Sequence, residues 1–303
     1  MKYFLAPIVF FLLSVSSFAQ QKVDSTQLIT DLQFLSSDSL QGRFTGQAGH
    51  AIAQDYIVNR FSQMGLRAFF PEYKQAFKFE SKITKTELEG VNLAAIVQGM
   101  SDEMIVITAH YDHMGMRNGQ VFNGADDNAS GVAALLAIAE YFQANTPYHT
   151  MVFVCFDAEE HGLKGADAFV NSIVFEKEKT LLNLNMDMVS RSAKKEIYAS
   201  GTYYNKTLKK WMSDYRPALP VQVKLGHDNP KTGIHDWTNQ SDQAAFHKQG
   251  IPFLYFGVED HPDYHKPSDD FEKIDLGFYL NTTNTLLDIV KYLDDKLRKQ
   301  DLK

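Results

Sequence analysis

Short apolar runs bounded by turn residues alternate along this chain with stretches in which apolar residues recur every three or four positions. Ala53, Tyr56, Ile57, Phe61 and Met64 show the helical spacing and predict a helix over 51–64, stopped by Gly65. Strands are predicted at 91–97 and 104–109, a second helix at 129–143, strands at 150–156, 181–186 and 252–258, and a closing helix at 276–297. Repeated strand-then-helix order favours parallel βαβ units. The expected fold is α/β, a three-layer sandwich with a central mixed, mostly parallel β-sheet flanked by helices. Between 190 and 239 the pattern breaks into short strand-like pieces, EIYAS and VQVKL, separated by loops rich in Gly, Pro and Asn. Those loops are expected to lie at the surface and shape a substrate site.

The opening MKYFLAPIVFFLLSVSSFAQ has one charge at Lys2, an apolar stretch of about a dozen residues, and small residues at Ser17 and Ala19. It reads as a secretory signal peptide over 1–19, because the run is shorter than the roughly 20 residues a membrane span needs. The expectation is an exported protein, periplasmic or extracellular, with one catalytic domain over 20–303 and no membrane contact after cleavage. With 30 basic and 37 acidic residues and no basic cluster, nucleic-acid binding is excluded. Cys155 is the only cysteine, so an internal disulfide is excluded too. Its setting, TMVFVCFDAEE, reads as a buried thiol in a core strand, since a nucleophilic thiol needs a paired base and an electropositive setting.

The chemistry gathers at the ends of the predicted strands. His110 and Asp112 close MIVITAHYD, Asp126 and Asp127 lie in GADDNASG before a helix, Glu159 and Glu160 close TMVFVCFDAEE, Asp187 closes LLNLNMD, and His265 follows PFLYFGV. In open α/β sheets, sites form at the carboxyl edge. Imidazoles and carboxylates without thiolates suit zinc in an open catalytic site, although cobalt or manganese also accept such ligands. Acids in this number would repel one another without divalent cations; two metals ~3.5–4 Å apart would offset the charge and acidify a water. Taken singly, GADDNASG also reads as an Asp-rich turn capping the next helix, and His110 as a satisfied buried histidine. Their joint occurrence along one edge points to metal.

The ordered set LSSDSLQGRFTGQAGHAIAQDYI, AHYDH, GADDNASG, FDAEEHGLKG, NMDM, SDQAAF and YHKPSDD resembles the di-zinc aminopeptidase family, the twenty-eighth in the usual numbering of metallopeptidases. The resemblance implies the zinc-dependent exopeptidase fold and two zinc ions per chain. One ion is expected on His110 and Asp187, the other on Glu160 and His265, with Asp126 as the bridging carboxylate. Asp127 is expected to follow a strained cis peptide that aims Asp126 at both metals. Glu159 corresponds to the general base, Asp112 to the carboxylate orienting the first imidazole, and Tyr264 to a phenol that polarises the scissile carbonyl. The implied substrates are peptides with a free N-terminus. Arg43 reads as a structural ion-pair former, His113 and His161 as flanking residues with at most supporting contacts to the ligands, and His227, His235 and His261 as surface loop residues. Trp237 and Phe256 are candidates for a specificity pocket, with core packing the competing reading for Phe256.

Three rival functions remain at this stage. Glutaminyl cyclisation, performed by relatives with one zinc, is disfavoured by the His110–Asp112 pair. Carboxypeptidase or dipeptidase action would want Arg191, Lys194 or Arg216 beside the metals to hold a carboxylate. A non-catalytic binding protein on the same fold would be expected to have lost ligands or the base, and all are present.

Overall fold

The alternating strands and helices wind around one mixed sheet in the structure, a computed structural model that describes residues 22–299 and 302. The expected signal peptide, 1–19, lies outside the described residues. In chain order the strands are β1 (Arg67–Ala68), β2 (Lys74–Glu80), β3 (Glu87–Val97), β4 (Ser101–His110), β5 (Gly115–Arg117), β6 (Gln120–Phe122), β7 (His149–Phe156), β8 (Thr180–Met186), β9 (Glu196–Ser200), β10 (Gln222–Leu225) and β11 (Phe253–Gly257). The helices are α1 (Ser25–Leu35), α2 (Ala48–Gln63), α3 (Gly131–Ala144), α4 (Lys164–Val170), α5 (Lys206–Asp214), α6 (Gln243–Lys248) and α7 (Leu276–Lys299).

The main sheet runs β1-β3-β7-β4-β8-β11-β9-β10, with β2 also paired to β3. Its centre, β7-β4-β8-β11, is parallel throughout. Antiparallel strands flank that centre: β3 against β7 and β9 against β11. A parallel centre needs helical cover on both faces, and the side-chain alternation shows how it is met. Ile105, Ile107 and Ala109 of β4, with Met151, Phe153 and Cys155 of β7, face the layer that holds α1, α2, α3, α5 and α7. Met104, Val106, Val152, Val154 and Phe156 face the opposite layer, under α4 and α6. Fully burying one side chain such as Phe153 contributes on the order of 2–3 kcal/mol. Cys155 is free and buried here, as its sequence setting predicts.

Helix α3 is apolar on nearly all sides because it is enclosed by the sheet, α1 and α7. Helix α1 begins at Asp24, whose carboxylate accepts the Thr26 and Gln27 N–H groups. β5 and β6 form a separate hairpin turned by Asn118 and Gly119, both at positive φ, the conformation that a tight two-residue turn requires. Among the described residues no helix is long and apolar enough to cross a membrane.

Candidate metal centre

Four parallel strands end side by side, and each delivers a polar group where its chain turns out of the sheet. β4 ends on His110, β7 is followed by Glu159 and Glu160, β8 by Asp187, and the chain after β11 returns with His265. Ala158, Met188 and His265 sit at φ 56°, 58° and 54°. Non-glycine residues held in that left-handed region concentrate at functional sites.

The side chains form two adjoining groups. In the first, His110 Nε2 lies 3.3 Å from Asp187 Oδ1 and 3.4 Å from Asp127 Oδ1, and Glu159 joins His110 and Asp187 within ligating reach. His110 Nδ1 is 3.2 Å from the Asp112 carbonyl oxygen, which can only accept, so the neutral ring carries its proton on Nδ1 and leaves the Nε2 lone pair for a cation. In the second group, His265 Nε2 is 3.1 Å from Asp127 Oδ2 and 3.6 Å from Glu160 Oε1. His113 completes it, with Nδ1 2.8 Å from Glu160 Oε1. Asp127 therefore stands between the groups, one carboxylate oxygen toward each.

That position was expected for Asp126, and the structure reverses the assignment. The Asp126 carboxylate turns into the protein, accepting from Ser190 N (2.8 Å), Ser190 Oγ (2.6 Å) and Ser130 Oγ (3.3 Å), with His261 Nε2 at 3.1 Å. The cis peptide joins Asp127 to Asn128, one bond later than expected. The whole GADDNASG turn is knitted in place. The Asp269 carboxylate accepts the Asp126 and Asp127 N–H groups, and Asn128 donates to the Met186 carbonyl while accepting from Gly131 and Met188. Gly131 is required here, because a Cβ would lie 2.3 Å from Asn128 Oδ1 and 2.5 Å from the Met186 oxygen.

Other expectations change in the same way. Among the described residues Arg43 forms no ion pair within hydrogen-bond distance; its buried guanidinium donates to the carbonyls of Leu35, Tyr111, Asn123 and Gly124, tying the loop after β4 to the turn that carries Asp127. Asp112 was expected to orient His110 through its carboxylate, but it does so through its backbone carbonyl; the carboxylate, 3.7 Å from His110 Nδ1, instead holds the β7 turn by accepting Glu159 N (3.0 Å) and Glu160 N (3.2 Å). His261, expected at the surface, is the partner of Asp126 just described. His161 packs against Phe44 and Phe79 with Nδ1 3.0 Å from Ser81 Oγ. His227 stacks on Trp237 at 3.7 Å, and His235 is exposed.

Burial and like charge set the titration of these groups. Burial raises the Glu159 carboxyl well above the usual range, and the neighbouring Asp242, Asp187 and Glu160 add to the effect against the pull of His110. Burial works against His110 as a cation, but Asp187 and Glu159 outweigh it and hold its pKa well up. Asp127 goes well below the usual range: burial opposes ionisation, and His113, His110 and His265 overcome it.

These groups line one cavity of about 330 Å³, walled in part by Trp237, Tyr255 and Tyr264. Phe256 is buried in the core instead. Tyr255, not singled out in the sequence, donates its hydroxyl to the Asp187 carbonyl at 3.2 Å, and Tyr264 stacks on His265 at 3.9 Å. Among the described residues no lysine or arginine belongs to the lining. Arg191 and Lys194 line a neighbouring cavity, where Arg191 pairs with Asp263 at 2.7 Å, and Arg216 donates to the carbonyls of Ser213 and Tyr215.

Scaffold and side chains together define an α/β sandwich with two adjoining His–carboxylate groups at the carboxyl edge of its sheet. The chain belongs to peptidase family M28, whose model matches residues 92–290. Aminopeptidase YwaD of Bacillus subtilis is 31% identical over 180 residues, 57% of this chain and 37% of its own. Among solved structures, the glutaminyl cyclase of Porphyromonas gingivalis matches with a TM-score of 0.71 at 18% identity, over 90% of this chain and 99% of the other. The zinc aminopeptidase BSAP of Bacillus subtilis matches with a TM-score of 0.69 at 15% identity, over 88% and 95%. At such identities the structural likeness is one of fold. This chain spans about half or less of the length of the curated relatives it matches.

Proposed function

We propose that the protein is a two-zinc aminopeptidase that removes N-terminal residues from peptides. The observation carrying this reading is the Asp127 carboxylate, which presents one oxygen to the His110–Asp187 group and the other to the Glu160–His265 group. The donor set fits zinc: two imidazoles, three carboxylates and no thiolate, with Glu160 Oε1 buried and lacking a hydrogen-bond partner among the described residues. His110 and Asp187 would hold one ion, Glu160 and His265 the other, and Asp127 both. Zinc bound there supplies Lewis acidity, polarising a carbonyl and acidifying water.

The chain's own residues supply proton transfer and orientation. Glu159, adjacent to Glu160 yet grouped with His110, accepts the proton of the attacking water and returns it to the leaving amine, a role suited to a carboxyl whose pKa is raised. Burial keeps the Tyr264 phenol protonated. Tyr255 commits its hydroxyl to Asp187, so Tyr264 is the phenol free to donate to the carbonyl oxygen of the substrate. A lining with carboxylates and, among the described residues, no lysine or arginine favours a free amine over a carboxylate, which favours aminopeptidase over carboxypeptidase or dipeptidase action. Residues 1–19 would direct the enzyme out of the cytoplasm, and N-terminal sequencing of the exported protein checks the cleavage after Ala19.

The test is a panel of free-amine and N-blocked peptides with metal content measured on the same sample. Release of N-terminal residues from free-amine substrates alone, at about two zinc per chain, is the expected result. One zinc with ammonia released from N-terminal glutamine would replace the proposal with cyclisation.

A further inference from the structure

His113 ends the HYDH stretch, three residues after His110. Its ring is buried, and its backbone N–H is held at 3.3 Å by the Arg43 carbonyl. On one side the ring is backed by Gly124, where a Cβ would come within 2.5 Å of its Cδ2. Nδ1 lies 2.8 Å from Glu160 Oε1 and 3.8 Å from Asp127 Oδ2, yet both ring nitrogens and Glu160 Oε1 are buried and none of the three has an aligned hydrogen-bond partner among the described residues.

A neutral imidazole carries one proton, and the two placements differ in cost. A proton on Nε2 would leave a buried N–H with no acceptor, the rarer and costlier defect. A proton on Nδ1 has Glu160 Oε1 at 2.8 Å, close enough to be aligned by a small turn of the ring or the carboxylate, and leaves only a bare Nε2 unmatched. Direct ligation through Nδ1 would force the proton onto Nε2 and so carries the first cost. The same stretch grips the other end of this glutamate, since Asp112 Oδ2 accepts the Glu160 N–H. We infer that His113 is a positioning residue: it donates from Nδ1 to Glu160 and holds that carboxylate in the orientation required by a metal shared with Asp127 and His265. The inference rests on the two-metal reading. Carboxylate ligands are themselves held by hydrogen bonds, and removing such a partner typically lowers metal affinity about 10–100-fold.

The experiment titrates metal-free wild type, His113→Ala and His113→Asn with Co²⁺, following the absorption bands of bound cobalt. His265→Ala marks which binding step belongs to the second position, and thermal unfolding of each metal-free variant is recorded alongside. Expected are a second-position step about 10–100-fold weaker in His113→Ala, an unchanged first step, and recovery of most of the loss in His113→Asn, whose amide N–H replaces Nδ1–H. Equal weakening of both steps together with a lowered unfolding temperature would reduce His113 to packing. Asparagine no better than alanine would make it a direct ligand. Either result overturns the inference while leaving two metals in place, whereas wild type that binds no second cobalt removes the two-metal reading itself.

Discussion

The reversal between Asp126 and Asp127 predicts opposite behaviour for two adjacent isosteric substitutions. Asp126 Oδ1 accepts three bonds from serines 130 and 190, so an asparagine there would keep its carbonyl on that side and turn its NH₂ toward His261. His261 Nδ1 accepts the Asp263 N–H at 3.2 Å, which places the histidine proton on Nε2. Donor then faces donor in a buried position, at a cost of about 2 kcal/mol, or about 30-fold in the folded-to-unfolded ratio. Asp126→Asn should therefore lose about 2 kcal/mol in urea unfolding of the metal-free protein and still bind both zinc ions. Asp127→Asn removes the only carboxylate among the described residues that faces both groups. It should fall from two zinc to one or none, with affinity reduced by more than the about 100-fold that loss of a supporting partner brings. Metal analysis after dialysis and paired urea curves decide the matter. If Asp126→Asn emptied the site at unchanged stability while Asp127→Asn kept two zinc, the geometric argument would be wrong.

Glu159→Gln should keep fold and metal but lose hydrolysis by about 10²–10⁴-fold, the usual contribution of a positioned base; full activity with metal bound removes Glu159 from the reaction. Arg43→Met leaves four buried carbonyls without their shared donor and should cost about 3–5 kcal/mol in chemical unfolding, and a loss under about 1 kcal/mol contradicts the clamp. Burial raises the Asp31 carboxyl above its ordinary 3.8 despite hydrogen bonds from Tyr56, Arg60 and Gln27. The folded state then keeps that proton at pH values where the unfolded chain has released it, so this group's contribution to stability falls as pH rises from about 4 through the raised pKa. Urea curves of wild type and Asp31→Asn at stepped pH should show wild type losing ground across that window and the gap constant above it; a gap that moves the other way refutes the sign.

The parallel strands were legible because buried strands read as continuous apolar runs, and β4, β7, β8 and β11 all appear within a few residues of their predicted positions. Their polar last residues marked the site edge for the same reason, being the first groups to leave the apolar layer. β2 escaped notice because it is half exposed, with Phe77 and Phe79 alternating with charged residues. Helices α4, α5 and α6, at 6–9 residues, are too short for periodicity to distinguish from loops. The choice between Asp126 and Asp127 was not readable from adjacent identical letters, because it depends on how the turn meets Ser190 and Asp269, residues far along the chain. His261 was placed at the surface for a related reason: its partner, Asp126, lies 135 positions away.

The two His–carboxylate groups draw on residues from 110 to 265, and β4, which ends on His110, pairs with β7 and β8 on its two sides. Such a site has no local precursor. A chain synthesised only as far as Asp187 holds His110 and Asp127 but lacks His265 and β11, the strand that aligns Asp187 through Phe256. Long-range pairing of this kind must meet its loop-closure entropy before its contacts reward it, which makes it slow to form. On the two-metal reading proposed above, metal loading is a mark of a finished chain and not a nucleus for it, and a partly folded copy would carry no assembled centre with which to attack its neighbours.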